Sequence, residues 1–249
     1  MTTIEIQERD IVGENLITEL VAANRILVRQ GVLDAFGHVS ARSAPGASTF
    51  LLSRNLAPGS VTRNDVMTHD LDGVVLDDDR PAYLERFIHA EIYRRRPDVM
   101  SVVHSHSAAV VPFSVVEAPF RPVIHMAGFL NPEGTPVFEI SDFAGDGSDL
   151  LVTNGQLGSD LAGALGDGNV ALMRGHGSIA VGSSLPEVVY RAVYTEVNAR
   201  AQLEASVLGT PRFLSRGEAA TANGSVGGQA LRAWNVWRAQ VAKEVGSDD

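Results

Sequence analysis

The residues whose types and spacing best suit chemistry are three histidines. Two are separated by a single residue, and the third lies far along the chain. His104 and His106 follow two valines in the segment Val-Val-His-Ser-His-Ser at residues 102–107. If residues 100–107 form a strand, alternate side chains share a face, so both imidazoles point the same way. Two imidazoles on one face are a natural start for a metal site. His176 lies between two glycines that allow close backbone approach, and it is the candidate third ligand.

The composition limits the partners that such a site can serve. The chain has 249 residues, of which 45% are apolar, enough for a large core, and its net charge is −10. No basic cluster exists beyond the three arginines at 94–96, so nucleic acids and anionic membranes are not expected partners. Cysteine is absent, which excludes thiolate chemistry and disulfides. With no evident signal peptide and no long apolar run, a cytoplasmic protein is expected.

Hydrophobic periodicity predicts the elements that must position these histidines. It favours helices over residues 11–30, 81–96, 149–165, 184–207 and 229–245. It favours strands, or turns leading into strands, over residues 34–42, 50–53, 65–76, 100–107, 120–126, 137–140, 170–173 and 178–181. The segment 215–228, rich in Gly, Ala and Ser, is predicted to be a mobile loop. Because no repeat and no long linker is found, residues 1–249 are expected to form one domain.

Motifs spread along most of the chain resemble those of the class II aldolase/adducin family. They are Gly-His-Val-Ser at 37–40, Glu-Arg-Phe-Ile-His at 85–89, Tyr93 with the Pro-Asp pair at 97–98, Val-His-Ser-His at 103–106 and Gly-His-Gly at 175–177. The similarity runs over about residues 12–206, with segment 215–245 added after that core. The resemblance implies a three-layer α/β/α fold around a central, mostly antiparallel sheet, often assembled as a homotetramer.

The same resemblance implies a catalytic metal centre. It places one divalent ion per subunit on His104, His106 and His176. Three neutral imidazoles leave positions open on the ion for substrate oxygens, which is the arrangement of a catalytic rather than a structural site. Zn²⁺ or Mn²⁺ is the expected ion, and Fe²⁺ or Co²⁺ are alternatives because such sites accept several metals.

Two side chains on the helix predicted over 81–96 complete the expected site. By the resemblance, Glu85 matches the family's catalytic carboxylate. Its apolar neighbours Leu84, Phe87 and Ile88 predict burial, so we expect a raised pKa that suits Glu85 to move a proton. His89 lies one helical turn further on, and we expect it to form a structural hydrogen bond.

The chain departs from the family's sugar-phosphate aldolases where those enzymes hold phosphate. Residues 82–84, Ala-Tyr-Leu, replace the small hydroxyl residues before the catalytic glutamate. Arg54 follows Ser53 where small residues are expected, and His38 replaces an asparagine. A cradle of small residues is the economical way to hold phosphate, so sugar-phosphate cleavage is not favoured. We expect Arg54 to orient a substrate carboxylate, with His38, Ser53 and Tyr83 as further substrate-binding residues.

Together these residues favour a metal-dependent carbon–carbon lyase acting on a small-molecule carboxylate. Family branches with a similar Gly-His-(Val/Ile)-Ser-(Ala/Val)-Arg pattern, here at 37–42, include decarboxylases of hydroxylated aromatic or pyridine carboxylates, so decarboxylation of such a mono- or dicarboxylate is expected. Retro-aldol cleavage of a hydroxy-carbonyl substrate is the main alternative, because the same ion and Glu85 would serve it. An iron-dependent oxygenase is a further alternative. The intact histidines and glutamate argue against a non-catalytic scaffold of the adducin kind.

Overall fold

The computed structural model describes residues 3–76 and 78–245. The helices are α1 (Thr3–Arg29), α2 (Arg86–Arg95), α3 (Ser141–Ala144), α4 (Gly155–Leu165), α5 (Leu185–Leu208), α6 (Arg216–Gly227) and α7 (Ala230–Val245). The strands are β1 (His38–Arg42), β2 (Thr49–Ser53), β3 (Val66–Asp70), β4 (Ser101–Ser105), β5 (Val137–Phe138), β6 (Val170–Met173) and β7 (Gly177–Gly182). Most elements lie where the hydrophobic pattern predicts them.

All seven strands join one sheet in the order β3-β2-β1-β4-β7-β6-β5. Neighbouring strands pair antiparallel except β5 and β6, which are parallel. The strand that carries the first candidate ligand, β4, lies at the centre between β1 and β7. Its register places His104 opposite His38 on β1 and opposite Ile179 on β7. The sheet therefore holds this part of the site firmly from both sides.

Helices cover both faces of the sheet. One hydrophobic cluster packs α1, α5 and α7 against one face and includes Val103 and Val189. The other packs α2 and α4 against the opposite face and includes Val102 and Ile88. Adjacent valines of β4 thus belong to different cores, as strand alternation requires. The predicted three-layer α/β/α arrangement with a mostly antiparallel sheet is confirmed. Within the described ranges, no helix combines the length and apolar character needed to cross a membrane.

The prediction of a strand over residues 120–126 is wrong. That stretch contains no strand and ends in a 3₁₀ turn at His125–Ala127. Pro119 and Pro122 lack the N–H groups that a strand ladder uses, which disfavours pairing here. The backbone bonds instead to helix α5, because Val123 N–H donates to Oδ1 of Asn198 at 2.9 Å. A helix side chain therefore takes the place of a partner strand.

The mobile loop predicted over residues 215–228 is also wrong, because most of it forms helix α6. Glu218 N–H donates to Ser215 Oγ at 3.2 Å, and Ser215 N–H donates to the Glu218 carboxylate at 2.8 Å. This reciprocal cap begins the helix despite a composition rich in small residues. Small residues also allow the turn at Gly128 and helix α6 to approach each other closely, since a Cβ added at Gly128 would lie 2.6 Å from the carbonyl oxygen of Ala219.

Helix α2 begins one residue after Glu85 and not at residue 81 as predicted. Leu84 precedes the helix and is 59% exposed, so its predicted place on the buried face is wrong. Ile88 and Ile92 are buried as the pattern requires. Glu85 therefore occupies the N-cap position, just before the first residue of the helix.

Candidate metal centre

The three predicted ligands converge at one end of β4. His104 lies in β4, His106 follows one residue beyond its end, and His176 lies in the turn between β6 and β7. The Nε2 atoms of His104 and His106 are 2.9 Å apart, as are those of His106 and His176. Together with Glu85, they offer ligand atoms that all lie within 4.8 Å of one another. The fold thus joins residues that are far apart in the sequence.

Two glycines let the neighbouring strands approach β4 closely at this point. A Cβ added at Gly177, next to His176, would lie 2.1 Å from the carbonyl oxygen of Ser105. A Cβ at Gly37, next to His38, would lie 2.8 Å from the carbonyl oxygen of His104, and φ at Gly37 is +85°. A larger residue at either position would push β1 or β7 away from β4. The glycines beside the site histidines are therefore required by geometry.

Glu85 completes the cluster from the opposite side. Its Oε2 lies 3.5 Å from Nε2 of His104 and 3.4 Å from Nε2 of His176. Its Oε1 accepts a hydrogen bond from Val152 N–H at 3.0 Å. One oxygen is thus fixed by the backbone, while the other faces the imidazoles.

The donor set fits a divalent metal ion. Nδ1 of His176 lies 2.9 Å from the carbonyl oxygen of Leu150, and Nδ1 of His104 lies 3.2 Å from that of Ser178. A carbonyl only accepts, so both rings carry their proton on Nδ1 when neutral and turn a bare Nε2 lone pair to the cluster. Leu150 has a φ of +67°, an unusual conformation at the residue that orients His176. Converging lone pairs beside a carboxylate are the ligands that Zn²⁺, Mn²⁺ or Fe²⁺ accept.

The raised pKa predicted for Glu85 is wrong. Burial acts to raise the pKa of this carboxyl, but its interactions with the His104 and His176 imidazoles outweigh burial and hold the pKa well below its usual range. Its exposed neighbour Leu84 contributes little of the apolar cover that the sequence suggested. Glu85 is therefore a carboxylate at neutral pH.

Most of the site imidazoles are neutral at pH 7. Burial, with neighbouring imidazoles adding to it, lowers the pKa of both His38 and His89 well below the ordinary histidine value. Burial, followed by His104 and His176, lowers the pKa of His106 to about 4. For His176, burial acts downward but Glu85 outweighs it, so the pKa is raised.

These shifts predict that the metal-free protein loses stability as the pH falls from about 7 to 5. Below the ordinary histidine pKa of about 6.5, the unfolded chain binds protons at positions 38, 89 and 106 that the folded protein excludes. His176 acts in the opposite direction, because its raised pKa means that the folded protein binds this one proton more readily than the unfolded chain. We expect a lower urea midpoint at pH 5.5 than at pH 7.5 in chelator-treated protein. The His89→Gln variant should show a weaker pH dependence, and an equal or higher midpoint at pH 5.5 would contradict the prediction.

A pocket of about 340 Å³ opens beside the cluster. Most of its lining side chains are apolar, and the polar ones include Glu85 and His106 of the cluster. The lining residues are Ala35, Phe36, Gly37, His38, Asn55, Leu56, Ala57, Tyr83, Leu84, Glu85, His106 and Leu151. The structure thus brings two predicted substrate-binding residues, His38 and Tyr83, to the pocket, with ring centroids 4.6 Å apart.

The other two predicted substrate-binding residues lie behind or beside this pocket. Ser53 is buried, and its hydroxyl donates to the Tyr83 hydroxyl at 3.3 Å, so it supports the tyrosine. Tyr83 in turn donates to the carbonyl oxygen of Leu56. Arg54 is not among the lining residues, and its Nε donates to Oδ1 of Asp65 at 2.6 Å. Within residues 3–76 and 78–245, its Nη1 and Nη2 have no hydrogen-bond partner.

Two rows of polar side chains face each other behind the pocket. They are His38, Ser40 and Arg42 on β1, and Glu85, His89 and Tyr93 at and after the start of α2. The first row follows the two-residue period of a strand, and the second follows the four-residue spacing of a helix face. The hydrogen-bonding role predicted for His89 is confirmed, since it contacts both His38 and Ser40.

Sequence reasoning assigned no role to the remaining members of these rows, Ser40, Arg42 and Tyr93. Ser40 and Tyr93 are buried and hydrogen-bonded to each other at 2.7 Å. Arg42 lies over the Tyr93 ring, with its guanidinium carbon 4.8 Å from the ring centroid. The signal was the alternation of polar residues in Gly-His-Val-Ser-Ala-Arg, combined with the spacing of four between Glu85, His89 and Tyr93.

Comparisons with known proteins agree with this geometry. Residues 18–203 match the class II aldolase and adducin N-terminal domain family. The chain is 37% identical to decarboxylase tropJ from Talaromyces stipitatus over 251 residues, covering 90% of this chain and 93% of that protein. It is 29% identical to a 3,4-dihydroxyphthalate decarboxylase from Arthrobacter keyseri over 205 residues, covering 76% of this chain and 78% of that protein.

The solved structures support the fold. The L-fuculose 1-phosphate aldolase from Glaciozyma antarctica superposes with a TM-score of 0.77 at 22% identity, covering 98% of this chain and 95% of that one. The family match includes Glu85 and all three histidines of the cluster. The chain therefore belongs to the class II aldolase and adducin family, as an enzyme of the lyase type that resembles the family's decarboxylases.

Proposed function

We propose that this protein is a metal-dependent decarboxylase of hydroxylated aromatic or heteroaromatic carboxylates. The observation that carries the proposal is the joining of a three-histidine and glutamate cluster to a pocket with largely apolar walls. Apolar walls suit a flat ring, and the cluster suits the anionic groups of an acid. The decarboxylases among its relatives support this choice, one of which is named for 3,4-dihydroxyphthalate, a hydroxylated aromatic dicarboxylate.

His104, His106 and His176 would hold the ion, and the carbonyl partners of His104 and His176 keep the Nε2 atoms of those two rings turned toward it. When bound, the ion would supply Lewis acidity that stabilises negative charge on neighbouring hydroxyl and carboxylate oxygens of the substrate. Phe36 and Leu151 line the pocket and would exclude water from the ring. The site thus combines an anion-stabilising end with an apolar body.

In this proposal Glu85 moves the proton that the reaction requires. As a carboxylate it can accept the proton of the substrate hydroxyl and then donate it to the ring carbon that loses carbon dioxide. The electron pair of the broken carbon–carbon bond forms the new carbon–hydrogen bond, and the negative charge ends on the phenolate oxygen. Atoms and charge therefore balance without a further reactant.

Product analysis tests the proposal. Metal-loaded protein is incubated with ortho-hydroxy aromatic and pyridine mono- and dicarboxylates that carry ¹³C in the carboxyl group. We expect labelled carbon dioxide together with the corresponding decarboxylated phenol or hydroxypyridine. Aldehyde formation from hydroxy-carbonyl compounds, with no labelled carbon dioxide, would favour retro-aldol cleavage instead. Oxygen consumption that matches turnover would favour an oxygenase, and either outcome would overturn the decarboxylase.

Arg54 is proposed to bind a carboxylate at the rim of the pocket. Asp65 fixes its Nε, so the two terminal nitrogens remain available to donate two parallel hydrogen bonds to a carboxylate. The Arg54→Lys variant keeps the charge but loses the fork, and we expect KM to rise about 10-fold or more with little change in kcat. The control is Arg94→Lys at an exposed ion pair with Asp72. An unchanged KM in Arg54→Lys would remove this residue from substrate binding.

The metal and the assembly also stay predictions. We expect one Zn²⁺ or Mn²⁺ per subunit, with Fe²⁺ or Co²⁺ as alternatives, because three-histidine sites accept several divalent ions. We expect a homotetramer, as the family resemblance implies. Metal analysis of the purified protein and sedimentation equilibrium measure both. Full activity without metal, or in a monomer, would contradict the respective prediction.

A further inference from the structure

A buried chain of hydrogen bonds runs from the pocket into the core. Nδ1 of His38 lies 2.6 Å from Nε2 of His89, and Nδ1 of His89 lies 2.6 Å from the Ser40 hydroxyl. The Ser40 hydroxyl lies 2.7 Å from the Tyr93 hydroxyl. All four side chains are buried, and only His38 also lines the pocket. The direction of the hydrogen bonds at the buried end therefore decides whether His38 offers a ligand an N–H donor or a bare lone pair.

The direction of this chain follows from the proton of Tyr93. Across the described part of the chain, the Tyr93 hydroxyl has one side-chain or carbonyl group within hydrogen-bond distance, Ser40 Oγ. A buried phenol that donates to nothing is costly, so Tyr93 donates and Ser40 accepts. The proton of Ser40 then has one acceptor left, Nδ1 of His89. The network has a single fully satisfied arrangement.

The remaining protons are fixed by the two imidazoles. A neutral histidine carries one ring proton, so His89, which accepts at Nδ1, carries its proton on Nε2 and donates to Nδ1 of His38. His38 in turn carries its proton on Nε2. Among the residues that the structure describes, that Nε2 has no hydrogen-bond partner, so it is free to donate to a ligand in the pocket.

We propose that Tyr93, Ser40 and His89 are positioning residues that hold His38 as a neutral hydrogen-bond donor to the substrate. This inference rests on the proposed function only in its choice of substrate. It adds a selection rule: the substrate group beside His38 must be an acceptor, such as a carboxylate or a deprotonated hydroxyl, and not an amide or amine donor. A donor there would leave two N–H groups facing each other.

If the hydrogen bonds ran in the reverse direction, His38 would have the opposite role in the site. If His38 carried its proton on Nδ1, its Nε2 would face the pocket as a bare lone pair near the metal cluster, with ring centroids of His38 and His104 5.0 Å apart. His38 would then act as a fourth ligand or a base. That arrangement leaves one hydroxyl proton, of either Ser40 or Tyr93, without an acceptor. The two arrangements differ in which ring nitrogen carries the proton on His38 and on His89.

Long-range ¹H–¹⁵N NMR of the zinc-loaded, ¹⁵N-histidine-labelled protein shows which ring nitrogen of His38 and of His89 carries the proton at neutral pH. We expect His38 and His89 to be protonated on Nε2 only. The Ser40→Ala variant removes the group that sets the direction, and it should give a mixture of tautomers at both rings. The His89→Gln variant should keep the Nε2 proton on His38, because its amide N–H can donate to His38 while its oxygen accepts from Ser40. An Nδ1 proton on His38 of the unmodified protein would overturn the inference.

Substrate discrimination gives a second readout that a merely structural role would not move. For the unmodified protein, an analogue with an amide in place of the carboxylate should compete much less well than the acid. We expect Ser40→Ala to reduce this preference by about 10-fold, since a charge-assisted hydrogen bond is worth about 1.5 kcal/mol or more, and His89→Gln to retain most of it. Equal preference in all three proteins would contradict the inference. The NMR result does not require turnover, so a failed decarboxylase proposal and a failed tautomer assignment are distinguishable.

Discussion

The His106→Ala variant is expected to lose its bound metal and nearly all of its activity. His106 is the imidazole that bridges the other two, since its Nε2 is 2.9 Å from Nε2 of both His104 and His176. Replacing a residue that only orients a ligand typically costs 10- to 100-fold in affinity or activity, so losing a ligand itself should cost more than about 100-fold. His106 is also only partly buried, so its removal disturbs the core less than removal of His104, which is fully buried.

Metal content and activity are measured together in this experiment. The control is His125→Ala, which removes an exposed imidazole in a 3₁₀ turn outside the cluster and should keep the full metal content. Thermal unfolding of both variants without metal checks that they remain folded. A His106→Ala protein that binds metal as tightly as the original would show that the three histidines do not form the site.

The Glu85→Gln variant is expected to bind metal and substrate but turn over about 10²- to 10⁴-fold more slowly. Glutamine keeps the shape of the side chain and an oxygen that can accept from Val152 N–H. It cannot accept and return a proton, which is the role proposed for the carboxylate. Because the three histidines remain, the loss should appear mainly in kcat and only weakly in metal affinity.

A matched control lies on the same helix. Glu91 on α2 pairs with Arg94 at 3.3 Å near the surface and does not line the pocket. The Glu91→Gln variant removes one carboxylate of the same type, and we expect its activity to stay within about 2-fold because exposed ion pairs contribute little. A Glu85→Gln enzyme with normal kcat would exclude Glu85 from proton transfer. Loss of metal from Glu85→Gln would instead identify Glu85 as an essential ligand.

Much of the fold could be predicted from the sequence because its core strands carry strong local signals. Val102 and Val103 favour a strand, and the two-residue period correctly turns His104 and His106 to the same site. The approach of His176 has no such local signal. It depends on the pairing of β7 with β4, which sequence spacing does not reveal. The flanking glycines made His176 a candidate, and the family resemblance indicated its place beside the other two histidines.

The errors have identifiable physical causes. The pKa of Glu85 depends on imidazoles brought to it by tertiary structure, so its apolar sequence neighbours pointed in the wrong direction. Helix α6 lacks an apolar stripe, and the pattern of Ser215 followed by Glu218 was the only local signal of its start. For Glu85 the deciding partners are distant in sequence, whereas for α6 a local cap of three residues' spacing decides where the helix begins.

The measurement that tests the central claim most directly is carbon dioxide release by one protein sample before and after metal is restored. The sample is stripped with a chelator, dialysed, and assayed with an ortho-hydroxy aromatic carboxylate that the loaded enzyme accepts. We predict no release above background from the stripped protein and full recovery at one equivalent of Zn²⁺ or Mn²⁺ per subunit, with no recovery in His106→Ala. Undiminished release from the stripped protein would contradict the account, because the histidine cluster would then have no part in the reaction.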